Sequence, residues 1–121
     1  MTMKILIADD DSSMRIMLRT LLSRWGHEVL EAADGTEANA LFETERGIQT
    51  AIIDWQMPGV DGLEICRRLR EKENAPYVLL ATGKGSDKEV IEGLEAGAND
   101  YLTKPFDPGK LISMLRVWLY R

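Results

Sequence analysis

Residues 50–62 read TAIIDWQMPGVDG, and the rest of the chain is best interpreted outward from them. The segment opens with an apolar run of the length of a buried strand, and this run stops at a single carboxylate, Asp54. A proline–glycine pair then indicates a turn, after which Asp61 opens an amphipathic helix. Because burying an unpaired charge is costly, a lone acid at the end of a buried strand is expected to be paired, metal-bound or functional.

The composition is that of one globular domain. A chain of 121 residues suffices for one domain with a single core, so we expect residues 1–121 to form one domain. Apolar residues make up 45% and charged residues 29%, as in ordinary soluble proteins. No apolar run approaches the roughly 20 residues of a membrane span, and the amino terminus has no signal-peptide pattern. These features predict no association with a membrane.

Charge and cysteine content narrow the function classes further. The single cysteine, Cys66, excludes an internal disulfide, which fits a reducing cytoplasm. Cys66 lies on the apolar side of a helical pattern, so we interpret it as a core residue. The net charge of −5 argues against direct binding of nucleic acid, because such binding usually needs a basic patch. It suits a cation site or a basic partner.

Apolar runs and helical periodicity alternate along the whole chain. Short apolar runs predict strands at residues 4–8, 27–32, 50–54, 77–81 and 100–103. Amphipathic segments with capping residues predict five helices. The first runs from residue 11 or 12 to 25, the second includes 38–42 and ends near 47, and the third runs from 61 to before 74. The fourth covers 87–96, and the fifth runs from 107 to the end. Gly93 stands inside the fourth helix, which it should weaken by about 1 kcal/mol relative to alanine.

Five strand–helix repeats predict an α/β fold, in which a five-stranded parallel sheet has right-handed crossovers and helices on both faces. The expected strand order is 2-1-3-4-5, that of a doubly wound, flavodoxin-like sheet. This order places strand 1 beside strand 3. Ligands of such sheets bind beyond the carboxyl ends of the strands, where the order reverses. The residues that follow the strands are therefore the candidates for a functional site.

Polar residues end four of the predicted strands and belong to this edge: Asp9, Asp10, Asp54, Thr82 and Lys104. Three carboxylates on neighbouring strands repel each other unless a cation intervenes. A ligand set made only of oxygen atoms suits Mg²⁺, which keeps several waters and often bridges to a phosphate. The absence of histidine and cysteine from the set argues against zinc. The only histidine, His27, lies at the start of strand 2, and we interpret it as structural or solvated.

Thr82 and Lys104 would complete a site for a phosphoryl group. The Thr82 hydroxyl can donate to one phosphoryl oxygen, and the Lys104 ammonium can pair with Asp54 at rest and with a phosphoryl oxygen afterwards. Phosphoryl transfer requires mainly in-line positioning and charge neutralisation. We therefore interpret Asp54 as a phosphoryl acceptor that forms an aspartyl phosphate.

Four motifs stand in order at the strand ends: Asp9-Asp10, DWQMPGVDG at 54–62, Ala81-Thr82-Gly83 and Lys104-Pro105-Phe106. With these motifs the chain resembles the receiver domains of two-component response regulators, and it looks most similar to compact, single-domain receivers of the chemotaxis type. The resemblance covers the whole chain, and four motifs in the same order make it specific. Tyr101 falls where the family has its rotating aromatic switch residue.

The resemblance implies a metal-dependent phosphoacceptor. A histidine kinase or a histidine phosphotransfer protein would donate a phosphoryl group to Asp54. Mg²⁺ would be held by Asp9, Asp10 and Asp54, with the backbone carbonyl of Gln56 completing the metal shell. The bond between Lys104 and the following proline is usually cis in the family.

The resemblance also implies a switch. After phosphorylation Thr82 would move inward, Tyr101 would follow, and the surface formed by helix 4, strand 5 and helix 5 would change and signal to a downstream target or output domain. The phosphoryl group adds about −1.5 to −2 charge, which biases a bistable loop. Such a domain catalyses only its own phosphotransfer and a slow self-dephosphorylation, so we do not expect an enzyme that turns over a substrate.

Two positions depart from the best-known chemotaxis pattern. Gln56 stands where that pattern has asparagine, and Lys84 where it has an acid. Their side chains overhang the site in the family and influence dephosphorylation, so no phosphate lifetime follows from the resemblance. We expect Trp55 to be a partly exposed lid beside the acceptor.

Several simpler interpretations remain beside these. Asp11 and Asp61 are better explained as helix caps than as metal ligands. A receiver-like docking module that is never phosphorylated is an alternative function, against which the complete set of site residues speaks. A Mg²⁺-dependent phosphohydrolase is another. It is disfavoured because Gln56, two residues after Asp54, cannot transfer a proton. A flavin- or nucleotide-binding module is disfavoured because a triple aspartate is a poor phosphate cradle without metal.

A homodimer formed through the fourth and fifth helices, dependent on phosphorylation, is also open. Met114, Val117 and Tyr120 flank the core stripe of the last helix. They are equally compatible with an ordinary surface.

Overall fold

The computed structural model describes residues 2–119. Five strands alternate with five helices, and their bounds are β1 Lys4–Ala8, α1 Ser12–Arg24, β2 Glu28–Ala32, α2 Gly35–Thr44, β3 Thr50–Ile53, α3 Gly62–Arg70, β4 Tyr77–Thr82, α4 Asp87–Ala96, β5 Asp100–Thr103 and α5 Pro108–Leu119. Every predicted element is present, in the predicted order.

The strands form one parallel sheet in the order β2-β1-β3-β4-β5, which confirms the expected topology. β1 pairs with both β2 and β3, so the order reverses between β1 and β3. Ala8 lies beside Ile53 in the register, and Ile53 lies beside Leu80. The carboxyl ends of the three central strands are therefore nearly level with one another.

Helices cover both faces of the sheet and enclose two hydrophobic cores. Residues of α2, α3 and α4 contribute to one core, and residues of α1 and α5 to the other. Along β1, Leu6 and Ala8 belong to the first core, whereas Ile5 and Ile7 belong to the second. β3 and β4 are buried along their whole length. Burial on both faces explains why these strands are near-continuous apolar runs rather than alternating ones.

Two element boundaries differ from the predicted ones on the side of the sheet away from the aspartates. β2 begins at Glu28 because His27 lies in the preceding turn, where its Nδ1 accepts the Met3 N–H at 3.0 Å. This contact gives His27 a structural role. α2 ends at Thr44 rather than near residue 47, because Glu45 already has an extended backbone conformation.

The ends of two strands also differ by one residue each. β3 stops at Ile53, so Asp54 is the first residue after the strand rather than its last. β4 continues through Thr82, because Thr82 pairs with Thr103 of β5. Both shifts place the predicted site residues directly at the edge where the strands end.

Side-chain caps begin the helices as expected. Asp11, Asp61 and Asp107 each accept a backbone N–H two or three residues further on, at 2.9, 2.9 and 3.0 Å respectively. These contacts confirm that Asp11 and Asp61 act as helix caps. α4 begins with a capping box in which Ser86 and Glu89 bond to each other's backbone N–H groups.

Gly93 is buried where α4 packs on the sheet. A Cβ atom at this position would lie 2.8 Å from Leu80 Cδ1 and 2.8 Å from Tyr101 Cε2. The sequence alone suggests only a helix weakened by glycine. The structure shows that the missing side chain lets α4 approach β4 and β5 closely.

The remaining expectations about the body of the protein concern its core and surface. Cys66 is fully buried in the first core, as predicted, and burial raises the pKa of its thiol to about 12. None of the helices within residues 2–119 is long and apolar enough to cross a membrane. Val117 is exposed and Met114 is partly buried, whereas Tyr120 lies outside the described residues.

Candidate functional site

Backbone hydrogen bonds fix the site residues at the carboxyl edge of the sheet. Asp9 follows β1, Asp54 follows β3, Thr82 ends β4, and Lys104 follows β5. The Asp54 N–H donates to the Ala8 carbonyl at 2.9 Å, and the Lys104 N–H donates to the Thr82 carbonyl at 2.8 Å. The sheet's hydrogen-bond pattern thus extends one residue beyond the strands and holds these groups on a rigid frame.

Lys104 links two of the carboxylates. Its Nζ donates to Asp9 Oδ2 at 2.7 Å and to Asp54 Oδ2 at 3.1 Å. Burial lowers the pKa of Lys104, but its contacts with Asp9 and Asp54 outweigh burial and raise the pKa above its usual value. The predicted pairing of Lys104 with Asp54 is therefore present, and Asp9 shares the same ammonium group.

Asp9 is the most deeply buried acid of the site, with 3% of its surface exposed. Its Oδ1 accepts the Asp11 N–H at 3.0 Å, and its Oδ2 accepts the Lys104 ammonium. Burial raises the pKa of Asp9, and these two donors offset only part of that rise. A further positive charge near Asp9 would therefore stabilise its ionised form.

The three predicted metal-binding acids lie together. Asp9, Asp10 and Asp54 each offer a carboxylate oxygen, and these atoms all lie within 4.8 Å of one another. Asp9 is buried, Asp10 is exposed, and the side chain of Asp54 is 12% exposed. Hard oxygen donors, one of them open to solvent, fit an ion such as Mg²⁺ that retains part of its water shell.

An open cavity of about 510 Å³ adjoins the acids. Asp10 and Gln56 line it, together with Lys84 and Trp55. Gln56 is exposed. The cavity provides room for a donor group to approach this edge of the sheet.

Trp55 is not the partly exposed lid that we expected from the sequence. Only 9% of its surface is exposed, and it packs in the first hydrophobic core. The Gly62 N–H donates to the Trp55 carbonyl at 2.9 Å, and a Cβ at Gly62 would lie 2.8 Å from Trp55 Cα. α3 therefore begins directly against this loop and holds it inward. Lys84 Nζ lies 5.2 Å from the centre of the Trp55 ring and covers it from the cavity side.

The two predicted switch residues meet at the backbone of Lys84. Thr82 Oγ1 accepts the Lys84 N–H at 3.4 Å, and the Tyr101 hydroxyl donates to the Lys84 carbonyl. Thr82 is buried and Tyr101 is partly buried. Burial, followed by the charges of Glu89 and Asp54, raises the pKa of Tyr101 to about 12, so its hydroxyl is a donor at neutral pH.

The Lys84 side chain connects this backbone to α4. Its Nζ lies 3.3 Å from Glu89 Oε2, and Glu89 forms the capping box of α4 with Ser86. The sequence identified Lys84 as a departure from the family pattern but did not reveal these contacts.

Arg15 is a residue of the site that the sequence did not identify. Its Nη1 donates to the backbone carbonyl of Asp9 at 2.6 Å, and its Nε lies 3.7 Å from Glu31 Oε1. Arg15 belongs to no motif at a strand end. The signal available in the sequence is its place one turn into α1, because helical side chains lean toward the helix N-terminus and cover the turn before it.

The peptide bond between Lys104 and Pro105 is cis, as the resemblance implied. With this feature the structure has the fold, the clustered acids and the lysine of the resembled family.

Sequence comparison identifies the family of this chain. The family model of the response regulator receiver domain matches residues 5–116, and the chain belongs to this family. It is therefore a receiver domain of two-component signal transduction and not a member of a classical enzyme family.

Individual relatives show the same relationship. The chain is 39% identical over 118 residues to the transcriptional regulatory protein ResD of Bacillus subtilis, covering 98% of this chain and 48% of ResD. The structure matches the BeF3-activated receiver domain of DrrB from Thermotoga maritima with a TM-score of 0.89 at 32% identity, covering 100% of both chains. It matches chemotaxis protein CheY4 of Vibrio cholerae with a TM-score of 0.87 at 34% identity, covering 96% of this chain and 98% of CheY4. The chain spans about half the length of the curated relatives it matches.

Proposed function

We propose that Asp54 accepts a phosphoryl group from a histidine kinase or a histidine phosphotransfer protein, in a reaction that depends on Mg²⁺. The observation that carries this proposal is the shared Lys104 ammonium between Asp9 and Asp54 beside the exposed carboxylate of Asp10. In this arrangement Asp54 is positioned as a nucleophile, and the carboxylates of Asp9 and Asp10 are available to hold a cation.

Asp54 acts as the nucleophile in this proposal. One of its carboxylate oxygens attacks the phosphorus atom of a donor phosphohistidine, a phosphorus–oxygen bond forms, and the phosphorus–nitrogen bond breaks with its electron pair going to the histidine nitrogen. Asp9, Asp10, Asp54 and the backbone carbonyl of Gln56 would hold Mg²⁺, which would supply positive charge to neutralise the phosphoryl oxygens. The donor approaches through the open cavity beside Asp10 and Gln56.

Lys104 and Thr82 stabilise the product. The Lys104 ammonium, which lies 3.1 Å from Asp54 Oδ2 at rest, transfers its hydrogen bond to a phosphoryl oxygen. The Thr82 hydroxyl donates to another phosphoryl oxygen and gives up its role as acceptor for the Lys84 N–H. Because the Tyr101 hydroxyl is bound to the carbonyl of the same Lys84 residue, a shift of this backbone alters the position of Tyr101.

The output surface is formed by α4, β5 and α5. Tyr101 lies on β5, and Gly93 places α4 against its ring, so movement of Tyr101 affects both elements. A downstream target or an output domain reads this change, and a phosphorylation-dependent homodimer through exposed residues such as Val117 is one form of the readout. The length of relatives such as ResD, about twice that of this chain, supports an output domain as the target.

The proposal also includes the domain organisation, the location, the catalytic range and the binding properties of the protein. Residues 1–121 form one receiver domain that acts in the cytoplasm. It catalyses its own phosphotransfer and slow self-dephosphorylation and binds neither nucleic acid nor membrane directly. The net charge of −5 supports the absence of a nucleic-acid surface.

Intact-mass measurement tests the proposal. The protein is incubated with acetyl phosphate and Mg²⁺, beside an Asp54→Asn variant and a sample with EDTA. We expect a gain of one phosphoryl group in the wild type only, lost in EDTA. Absence of any gain, with Mg²⁺ binding shown by calorimetry and a cognate kinase also inactive, would instead favour a docking module that is never phosphorylated.

A further inference from the structure

The peptide group between Asp9 and Asp10 is held by a side chain from α1. The Asp9 carbonyl accepts Arg15 Nη1 at 2.6 Å. The Asp9 N–H donates to the Ala32 carbonyl at 3.1 Å, and Asp9 Oδ1 accepts the Asp11 N–H at 3.0 Å. The backbone of Asp9 is therefore held at its N–H and at its carbonyl. Among these contacts, only that with Arg15 holds the carbonyl.

Asp10 depends on this peptide group for its direction. Its side chain is exposed, and within residues 2–119 no side-chain hydrogen bond holds it. The peptide before Asp10 fixes the place from which its side chain extends toward the neighbouring carboxylates. One oxygen of that carboxylate lies within 4.8 Å of a carboxylate oxygen of Asp9 and of Asp54.

Arg15 is built into the structure rather than attached to the surface. Its side chain is 19% exposed, and Glu31 of β2 holds its Nε at 3.7 Å. Arg19, one turn further along α1, binds the other oxygen of Glu31 at 2.6 Å, but its side chain is 62% exposed. Arg19 therefore shares the charge and the partner of Arg15, but its side chain contacts Glu31 and not the backbone of Asp9.

We propose that Arg15 is a positioning residue for the cation site, which it serves by holding the Asp9–Asp10 peptide so that the Asp10 carboxylate faces those of Asp9 and Asp54. This inference rests on the proposed function of these acids as Mg²⁺ ligands. The fixed fork of the guanidinium suits such a role, because it can bind a carbonyl and a carboxylate in defined directions.

Positioning and electrostatics predict opposite effects of the same substitution. Removing a positive charge near a cation site strengthens cation binding if charge alone matters. Removing the group that orients a metal ligand weakens cation binding, typically by about 10- to 100-fold when that group contacts the ligand and not the metal. Arg15→Met therefore distinguishes the two roles by the sign of the change in Mg²⁺ affinity.

The test measures Mg²⁺ dissociation constants by calorimetry for the wild type, Arg15→Met and the matched control Arg19→Met. We expect the dissociation constant of Arg15→Met to rise at least about tenfold and that of Arg19→Met to stay within about twofold of the wild type. Arg15→Lys should give an intermediate value, since one ammonium donor replaces the fork. At saturating Mg²⁺, phosphorylation of Arg15→Met by acetyl phosphate should approach the wild-type rate, because only metal affinity is lost.

Several outcomes overturn the inference. They are an Arg15→Met variant that binds Mg²⁺ as tightly as the wild type or more tightly, or Arg15 and Arg19 variants weakened equally. Should Arg15→Met fail to fold, Arg15→Lys decides the matter, and a wild-type dissociation constant in that variant rejects a positioning role. A wild-type protein that binds no Mg²⁺ would reject the proposed function itself, whereas wild-type binding with an insensitive Arg15 rejects only this inference.

Discussion

Replacement of Lys104 by methionine should destabilise the metal-free protein in a way that Mg²⁺ repairs. The Lys104 ammonium lies 2.7 Å from Asp9 and 3.1 Å from Asp54. With an effective dielectric constant of about 20, these distances correspond to gross attractions of about 6 and about 5 kcal/mol. Desolvation of the three groups cancels most of this, and breaking a buried ion pair typically costs about 3–5 kcal/mol. Because 19% of the Lys104 side chain is exposed, we expect a loss of about 2–3 kcal/mol.

Mg²⁺ should restore much of this loss because it supplies the missing counter-charge to the same carboxylates. The free energy of unfolding is measured by urea denaturation in EDTA and in excess Mg²⁺, for the wild type, Lys104→Met and Lys110→Met, a control at an exposed lysine of α5. Ligand binding to the folded state adds RT ln(1 + [L]/Kd), and the unpaired acids of Lys104→Met should bind Mg²⁺ more tightly. The deficit of this variant should therefore shrink in Mg²⁺. A Lys104→Met variant as stable as the wild type in EDTA, or a deficit that Mg²⁺ leaves unchanged, would refute this reasoning.

Three further substitutions or treatments test the packing of the fold. Gly93→Ala should lower the free energy of unfolding by about 1 kcal/mol despite its better helix propensity, because the new Cβ would lie 2.8 Å from the Tyr101 ring. The control Gly109→Ala in α5 introduces only ordinary van der Waals contacts, so it should be neutral or stabilising by up to about 1 kcal/mol. Urea denaturation compares the two variants. Burial lowers the pKa of His27 in the folded protein, so stability should fall as the pH drops below about 6.5, and His27→Gln should lose that part of the pH dependence in thermal melts. The Cys66 thiol, with a pKa of about 12, should resist alkylation at pH 8 in native buffer and react in urea, and stability should decline above the unfolded thiol pKa of 9.0.

The fold was predictable because its signals are local. Each strand is an apolar run, each helix has a capping residue or a periodic apolar stripe, and strict alternation restricts the topology to a parallel sheet. The site followed from the same pattern. Asp54, Thr82 and Lys104 lie at the end of a strand or directly after it, and strand ends of a parallel sheet meet at one edge whatever the detailed packing.

Contacts between distant elements were not predictable in the same way. Trp55 was expected to be a partly exposed lid beside the acceptor, yet α3 begins against its loop and encloses it. From the sequence alone Gly93 only lowers the helix propensity of its segment. The structure shows that it lies against the Tyr101 ring, where a larger residue would not fit. Arg15 has no motif, and its contact with the Asp9 carbonyl depends on how α1 turns back over β1. Such features require the relative placement of whole elements, which periodicity does not contain.

The identity of the phosphorylated residue can be measured chemically. Borohydride reduces an aspartyl phosphate to homoserine and leaves a free aspartate unchanged, so the protein is phosphorylated with acetyl phosphate and Mg²⁺, reduced, digested and sequenced by mass spectrometry. We expect homoserine at position 54 and unchanged aspartate at positions 9, 10 and 61. Homoserine at position 9, 10 or 61 would contradict the assignment of Asp54 as the phosphoryl acceptor. So would the absence of homoserine from a protein whose mass shows a bound phosphoryl group.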